Sequence, residues 1–256
     1  MTPPSLSSLL VDVELPDPDR LSPALVDLLA SLRIVLVGWY AVPEQTTPAQ
    51  ARDQFGAQAQ AALARVAQPF EAAGASVTSR LVFTGDELDT ISRISAEEDC
   101  DAVLLPAPMP RLRRVLVPLR GVPNADRIAA LVADLVQDGG PDVTLLHILE
   151  TDETAAEAEA QVLGPAADHL AAHGIEGDHV RHEIVASDEP SDTIIEWAAD
   201  HDIVVLGETE PSVREVLFGT VPERIVNALS VPVIVVRHAD EAVEAPGRTA
   251  APPSAD

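Results

Sequence analysis

Short runs of branched apolar residues punctuate the chain, and between them apolar positions recur every three or four residues. The runs read as strands buried on both faces, and the three-to-four spacing as helices with one buried stripe. In order, strands are predicted over residues 7–15, 33–40, 76–83 and 101–105, with helices over 21–32, 48–73 and 86–98 between them. Pro16 and Pro18 end the first strand, Gly74 stands where a helix C-cap belongs, and Pro106, Pro108 and Pro110 close the fourth strand. The order then restarts. Strands over 114–119, 143–149, 178–185 and 203–206 alternate with helices over 124–137, 154–173 and 191–200, and the 154–173 helix is interrupted at Gly164 and Pro165.

The last part of the second series goes further than the first. After the apolar run Ile203 to Leu206, Gly207 hands the chain to a polar loop containing Glu208, Thr209 and Glu210, and Ser212 is a natural N-cap. Beyond Gly219-Thr220, the spacing of Val221, Ile225, Val226 and Leu229 predicts a helix, and a buried strand runs from Val231 to Val236. Special backbone thus sits at the carboxyl end of a strand, where open parallel sheets place their ligand sites.

The two series match in detail as well as in order. Each has a long alanine-rich helix with the same ending, Ala72-Ala73-Gly74 in one and Ala172-His173-Gly174 in the other. A repeat of this length means two similar α/β domains, each an open parallel sheet with helices on both faces and right-handed crossovers. The expected boundaries are a first domain over 1–108, a second over 109–238, and a disordered Pro- and Ala-rich tail over 239–256. The first domain is degenerate: it stops after its fourth strand, without a last helix and strand.

The stretch from Gly207 to Val236 resembles the universal stress protein family. There a glycine, two residues, a second glycine, nine residues and a Gly-Ser or Gly-Thr pair precede a helix and a Pro-Val-rich strand. Gly207 fits the first position, Gly219-Thr220 the pair, and Val231-Pro232-Val233 the start of the strand. Glu210 stands in place of the second glycine, and the spacer to Gly219 is one residue short. The resemblance implies universal-stress-type domains, related to adenine nucleotide alpha hydrolases, with strand order 3-2-1-4-5 in the second. It implies a crevice between that domain's first and fourth strands, bordered by Leu119, Arg120, Gly207, Glu208, Glu210, Gly219 and Thr220. In nucleotide-binding relatives the glycine loop cradles the phosphates of ATP or another adenine nucleotide, and an aspartate occupies the position of Leu119. Two glutamates beside such a cradle repel a polyphosphate. Relatives dimerise through the closing strand, so a homodimer through the strand from Val231 to Val236 is expected, which would cover an exposed edge.

Charge narrows the partners. With 42 acidic residues against 16 basic, all of them arginine, the formal net charge is -26, a field that disfavours nucleic acid and anionic membranes. The acidic residues are spread along the chain, as in proteins adapted to high salt, where self-repulsion is screened. The lone Cys100 rules out an internal disulfide framework, and no apolar run reaches the ~20 residues that span a bilayer. A cytoplasmic protein without membrane insertion is expected.

Candidate chemistry is thin. Arg120 can hold an oxyanion or pair with Glu208 or Glu210 across an empty crevice. Gly219-Thr220 can offer amides to a phosphate, or Thr220 can simply cap a helix with Glu223 completing a capping box. His169 and His173 share a helix face, while His179 and His182 point to opposite faces of a strand; no spacing supplies the further ligands zinc needs. Cys100 follows Glu97, Glu98 and Asp99, which dull its thiol. Trp39 and Trp197 occupy apolar positions of a core or an interface, and Arg111, Arg113 and Arg114 read as a junction paired with nearby carboxylates. The expected function is therefore a non-catalytic stress-response or regulatory protein with a degenerate nucleotide pocket. Two alternatives stay open: a nucleotide-binding universal stress protein, and a cytoplasmic accessory module that docks a membrane transporter.

Overall fold

The computed structural model describes residues 7–42, 45–120, 125–136, 140–175, 177–207 and 228–237. Nine strands make one sheet: β1 (Ser8–Leu15), β2 (Arg33–Ala41), β3 (Ser76–Thr84), β4 (Ala102–Leu105), β5 (Arg114–Leu119), β6 (Asp142–Ile148), β7 (Val180–Val185), β8 (Ile203–Gly207) and β9 (Val233–Val236). Their order is β3-β2-β1-β4-β9-β8-β5-β6-β7. All neighbours are parallel except β4 and β9, which pair antiparallel from Ala102↔Val236 to Leu105↔Val233. Within the second half, β5 to β9 follow the expected 3-2-1-4-5 order. The first half has 3-2-1-4 alone.

The expectation that the strand from Val231 to Val236 covers its edge with another chain is corrected here. Both edges of β9 are already taken, one by β8 and the other by β4 of the same chain. Because the first half stops after β4, its truncated sheet presents an open edge of its own. Residues 106–113 tether that edge to the second half, and an intramolecular partner is favoured over a second copy by its effective concentration.

Helices flank the sheet as the periodicity predicts. The helices α1 (Pro23–Leu29), α2 (Pro48–Ala72), α4 (Ala125–Leu135), α5 (Ala155–Ala158) and α6 (Gly164–Ala172) lie on one face, and α3 (Glu87–Glu97) and α7 (Pro190–Ala198) on the other. Strand alternation sorts the core accordingly. Leu9, Val11, Val13 and Leu15 of β1 join a cluster with Leu63 and Phe70 that extends through Val117 and Leu163 to Val236, so one apolar layer spans both halves. On the opposite face the core is split: α3 covers Leu10, Val35 and Val37, and α7 covers Leu116, Leu146 and Val204.

Local chemistry sets the helix ends. Thr47 and Gln50 form a capping box at the start of α2, and Thr154 and Glu157 repeat it before α5. Gly74 and Gly174, at φ +92 and +95, follow the two long helical regions as expected C-caps. The interruption expected at Gly164-Pro165 is gentler than a break. A π turn over Glu159–Leu163 carries the helix onward, and Pro165 falls in the first turn of α6, where its missing N–H costs nothing. A Cβ on Gly164 would lie 2.9 Å from the Glu159 carbonyl oxygen, which explains the glycine.

Candidate functional site

The second half's crevice is built from the carboxyl ends of β5, β6 and β8. Ladder pairing between β5 and β8 is confined to Val115↔Ile203 and Leu116↔Val204, short of the strand ends at Leu119 and Gly207. Leu119, at the position of the relatives' aspartate, is 5% exposed and belongs to the core. Its side chain has no acceptor to offer, and its carbonyl oxygen is engaged by His147 Nδ1 at 2.9 Å. His147 lies opposite it on β6. The second ring nitrogen of His147 is 2.9 Å from Glu153 Oε2, which also accepts the Glu150 amide at 2.9 Å. The hydrogen bond from His147 and then the Glu150 amide hold the Glu153 carboxyl below its ordinary range.

Arg120 follows Leu119 and points to solvent. Its Nε lies 3.2 Å from Glu150 Oε1, so its ion pair runs along the sheet to the end of β6. Glu208, Glu210, Gly219 and Thr220 lie outside the described residues. Gly207 has a packing role: a Cβ there would come within 2.9 Å of Ile128 Cδ1, where α4 leans on β8. The space beneath, between Leu119, Ile128, Val132 and Leu170, is a void of about 10 Å³, no larger than the smallest cavity that holds one water.

His147 was not singled out by sequence reasoning. The available signal was a histidine inside the apolar run Leu145-Leu146-His147-Ile148, since a buried polar side chain needs partners on both sides. The four histidines weighed as metal ligands are otherwise engaged. His173 Nδ1 meets the His169 carbonyl at 2.8 Å, His179 pairs with Asp142 at 3.3 Å, and His182 with Glu159 at 2.8 Å. His201, also missed, bridges the Trp197 carbonyl and the Thr144 hydroxyl, at 2.7 and 3.0 Å, and burial lowers its proton affinity.

At the matching position of the first half stands Val13, apolar and buried like Leu119, and the residue before it carries a different chemistry. Asp12 on β1 shares the α3 side of the sheet with Leu10, and burial pushes its carboxyl up to about 6. Backbone hydrogen bonding and then the nearby Trp39 indole pull in the other direction, although Trp39 Nε1 is buried without a hydrogen-bond partner. Glu87 is raised too, by burial first and then by the charges of Asp12 and Glu14. Carboxylates crowd this end of the first sheet, the reverse of a phosphate site.

Two further readings can be checked here. Burial first of all raises the Cys100 thiol to about 11, against the pull of Arg33 and Arg237, and the charges of Glu98 and Asp101 add to the rise, so the thiol is held unreactive. The Arg111–Arg114 junction is held by Asp202, whose Oδ2 accepts the amides of Arg113 and Arg114 at 2.8 and 3.0 Å while Arg111 stands 3.8 Å away. Among the described residues no helix is long and apolar enough to cross a membrane.

The model of the universal stress protein family matches residues 111–237. These residues form a universal stress protein domain. The whole fold is similar to a universal stress protein from Archaeoglobus fulgidus DSM 4304, at 18% identity and a TM-score of 0.65, covering 92% of this chain and 98% of that one. It is also similar to a functionally unknown protein from Pseudomonas aeruginosa PAO1, at 17% identity and a TM-score of 0.54, covering 92% and 94%. Because both alignments run almost end to end, the universal stress fold of 111–237 and the truncated sheet before it share an architecture with solved chains of similar extent. No match is found among the curated proteins.

Proposed function

We propose that this universal stress family chain is a regulatory module that turns over no substrate, and that its β5–β8 crevice is closed to polyphosphates. The supporting observation is the end of β5. An apolar Leu119 occupies the aspartate position, its carbonyl is taken by His147, and the adjacent Arg120 is engaged by Glu150. Among the described residues, a nucleotide entering there would find no side-chain acceptor at the end of β5 and would have to compete with Glu150 for the Arg120 guanidinium. Glu208 and Glu210, next in the sequence after β8, add negative charge. We read residues 1–108 as a truncated first domain and 109–238 as the second, each with its own crevice and neither equipped for phosphate.

The test is the thermal midpoint of the full chain in molar salt, with and without ATP, AMP and magnesium. A ligand at ~100 times its dissociation constant adds about 2.7 kcal/mol and raises the midpoint by a few degrees. The expected result is no shift. A rise with ATP that Gly219→Val abolishes would replace this reading with a nucleotide-binding one.

A further inference from the structure

An open cleft lies away from both crevices, between the segment that precedes α1 and the carboxyl-terminal half of α2. Its volume is about 520 Å³, within the range that holds small organic ligands. Arg20 from the loop and Arg65 from α2 line it, together with Asp17 and Asp19. Among the described residues none of these four makes an ion pair or a side-chain hydrogen bond, although the cleft collects both signs of charge. In a chain of net charge -26 many guanidiniums do find an acceptor. Arg33, Arg80, Arg93, Arg120, Arg127 and Arg181 all bond a carboxylate or a carbonyl.

Two other features complete the chemistry. Leu21, Val26 and Val66 give the cleft an apolar part. Pro69 lies inside α2 and also lines the cleft; having no N–H, it leaves the Arg65 carbonyl without its helical donor. The cleft therefore offers guanidinium donors, carboxylate and carbonyl acceptors, and apolar surface. An inorganic polyanion suits it poorly, because Asp17 and Asp19 repel it.

We propose that this cleft binds a small zwitterion with an apolar body, of amino-acid or short-peptide chemistry. The ligand's carboxylate meets Arg20 and Arg65, its ammonium meets Asp17, Asp19 or the Arg65 carbonyl, and its side chains lie on Leu21, Val26 and Val66. The site shares no residue with the β5–β8 crevice and does not depend on how that crevice is read.

The experiment is calorimetric titration of the full chain with leucyl-leucine, its N-acetyl derivative and its C-terminal amide. Leucyl-leucine should bind saturably, and each derivative, having lost one charge, should bind about tenfold more weakly, as expected for one charge-assisted contact. Arg20→Gln and Arg65→Gln should each weaken the dipeptide by a similar factor and leave the melting curve unchanged, since both side chains are exposed and unpaired. Absence of saturable binding overturns the proposal. So does binding indifferent to both substitutions, and so does an N-acetyl derivative that binds as well as the free dipeptide.

Discussion

Arg127 Nη2 stands 2.7 Å from Asp101 Oδ1, and this contact joins the first helix of the second half to the turn that starts the last strand of the first. Asp101 also accepts the amide and hydroxyl of Ser8, at 2.8 and 2.9 Å, so one carboxylate ties β1, β4 and α4 together. The pair is about one-third exposed on each side, and Arg127→Gln should cost no more than ~1 kcal/mol. Asp101→Ala removes all three bonds and should cost about 2 kcal/mol or more. Urea unfolding of the two variants measures the difference, and equal losses would assign the role to the ion pair alone.

Asp12 makes a pH prediction whose sign is fixed. Its folded value, about 6, lies above its ordinary 3.8, so the fold prefers the neutral acid. The stability this adds is complete below pH 3.8, is lost as the pH rises through 6, and amounts to at most ~3 kcal/mol. Glu87 is raised in the same direction, while Glu97, Glu153 and Glu157 are lowered and oppose it. The clean readout is thus the difference between the parent and Asp12→Asn. The substitution should leave stability nearly unchanged at pH 4 and raise it at pH 7.5.

The glycines under α2 and α4 should rank in a definite order. At Gly38 a Cβ would meet Leu15 Cδ1 at 2.7 Å and Leu63 Cδ1 at 2.9 Å, two side chains of the fully packed layer. At Gly207, among the described residues, it would meet Ile128 only, closest at Cδ1, the far end of one flexible side chain. Overpacking of this kind costs about 1–3 kcal/mol. Gly38→Ala should fall at the upper end and Gly207→Ala at the lower. Adding Ile128→Val to Gly207→Ala should recover stability, a coupling that chemical denaturation of the double-mutant cycle would reveal.

His147→Ala should destabilise by about 2–3 kcal/mol, because it unpairs the Leu119 carbonyl and removes the first partner of Glu153. The Glu153 carboxyl is held low, so its contribution exists above its ordinary range and disappears as the pH falls through the lowered value. The penalty of His147→Ala should therefore shrink in acid. A penalty independent of pH would mean that only the carbonyl contact matters.

The fold was legible where one residue type leaves few choices. Uninterrupted branched runs such as Ile34-Val35-Leu36-Val37 and Ile203-Val204-Val205-Leu206 suit a strand buried on both faces, and both are 0–7% exposed. Capping residues and glycines marked the helix ends for the same local reason. Pairing choices made between distant segments were not legible. Nothing in Val233–Val236 says that Ala102–Leu105 will lie beside it, since any open edge would serve; the tether decides. Arg120 had several glutamates within plausible reach, and the geometry of β6 selected Glu150. Asp12 and His147 were hidden for a shared reason: each is a polar residue flanked by apolar ones in a strand, and its proton affinity or partner depends on which helix or loop covers it.

The position of β9 also bears on how the protein is made. It lies between β4 and β8, yet it is the last of the nine strands to leave the ribosome. Until it emerges, β4 and β8 lack the strand that lies between them and pairs with both. Long-range partners that arrive late leave such edges open to wrong pairing.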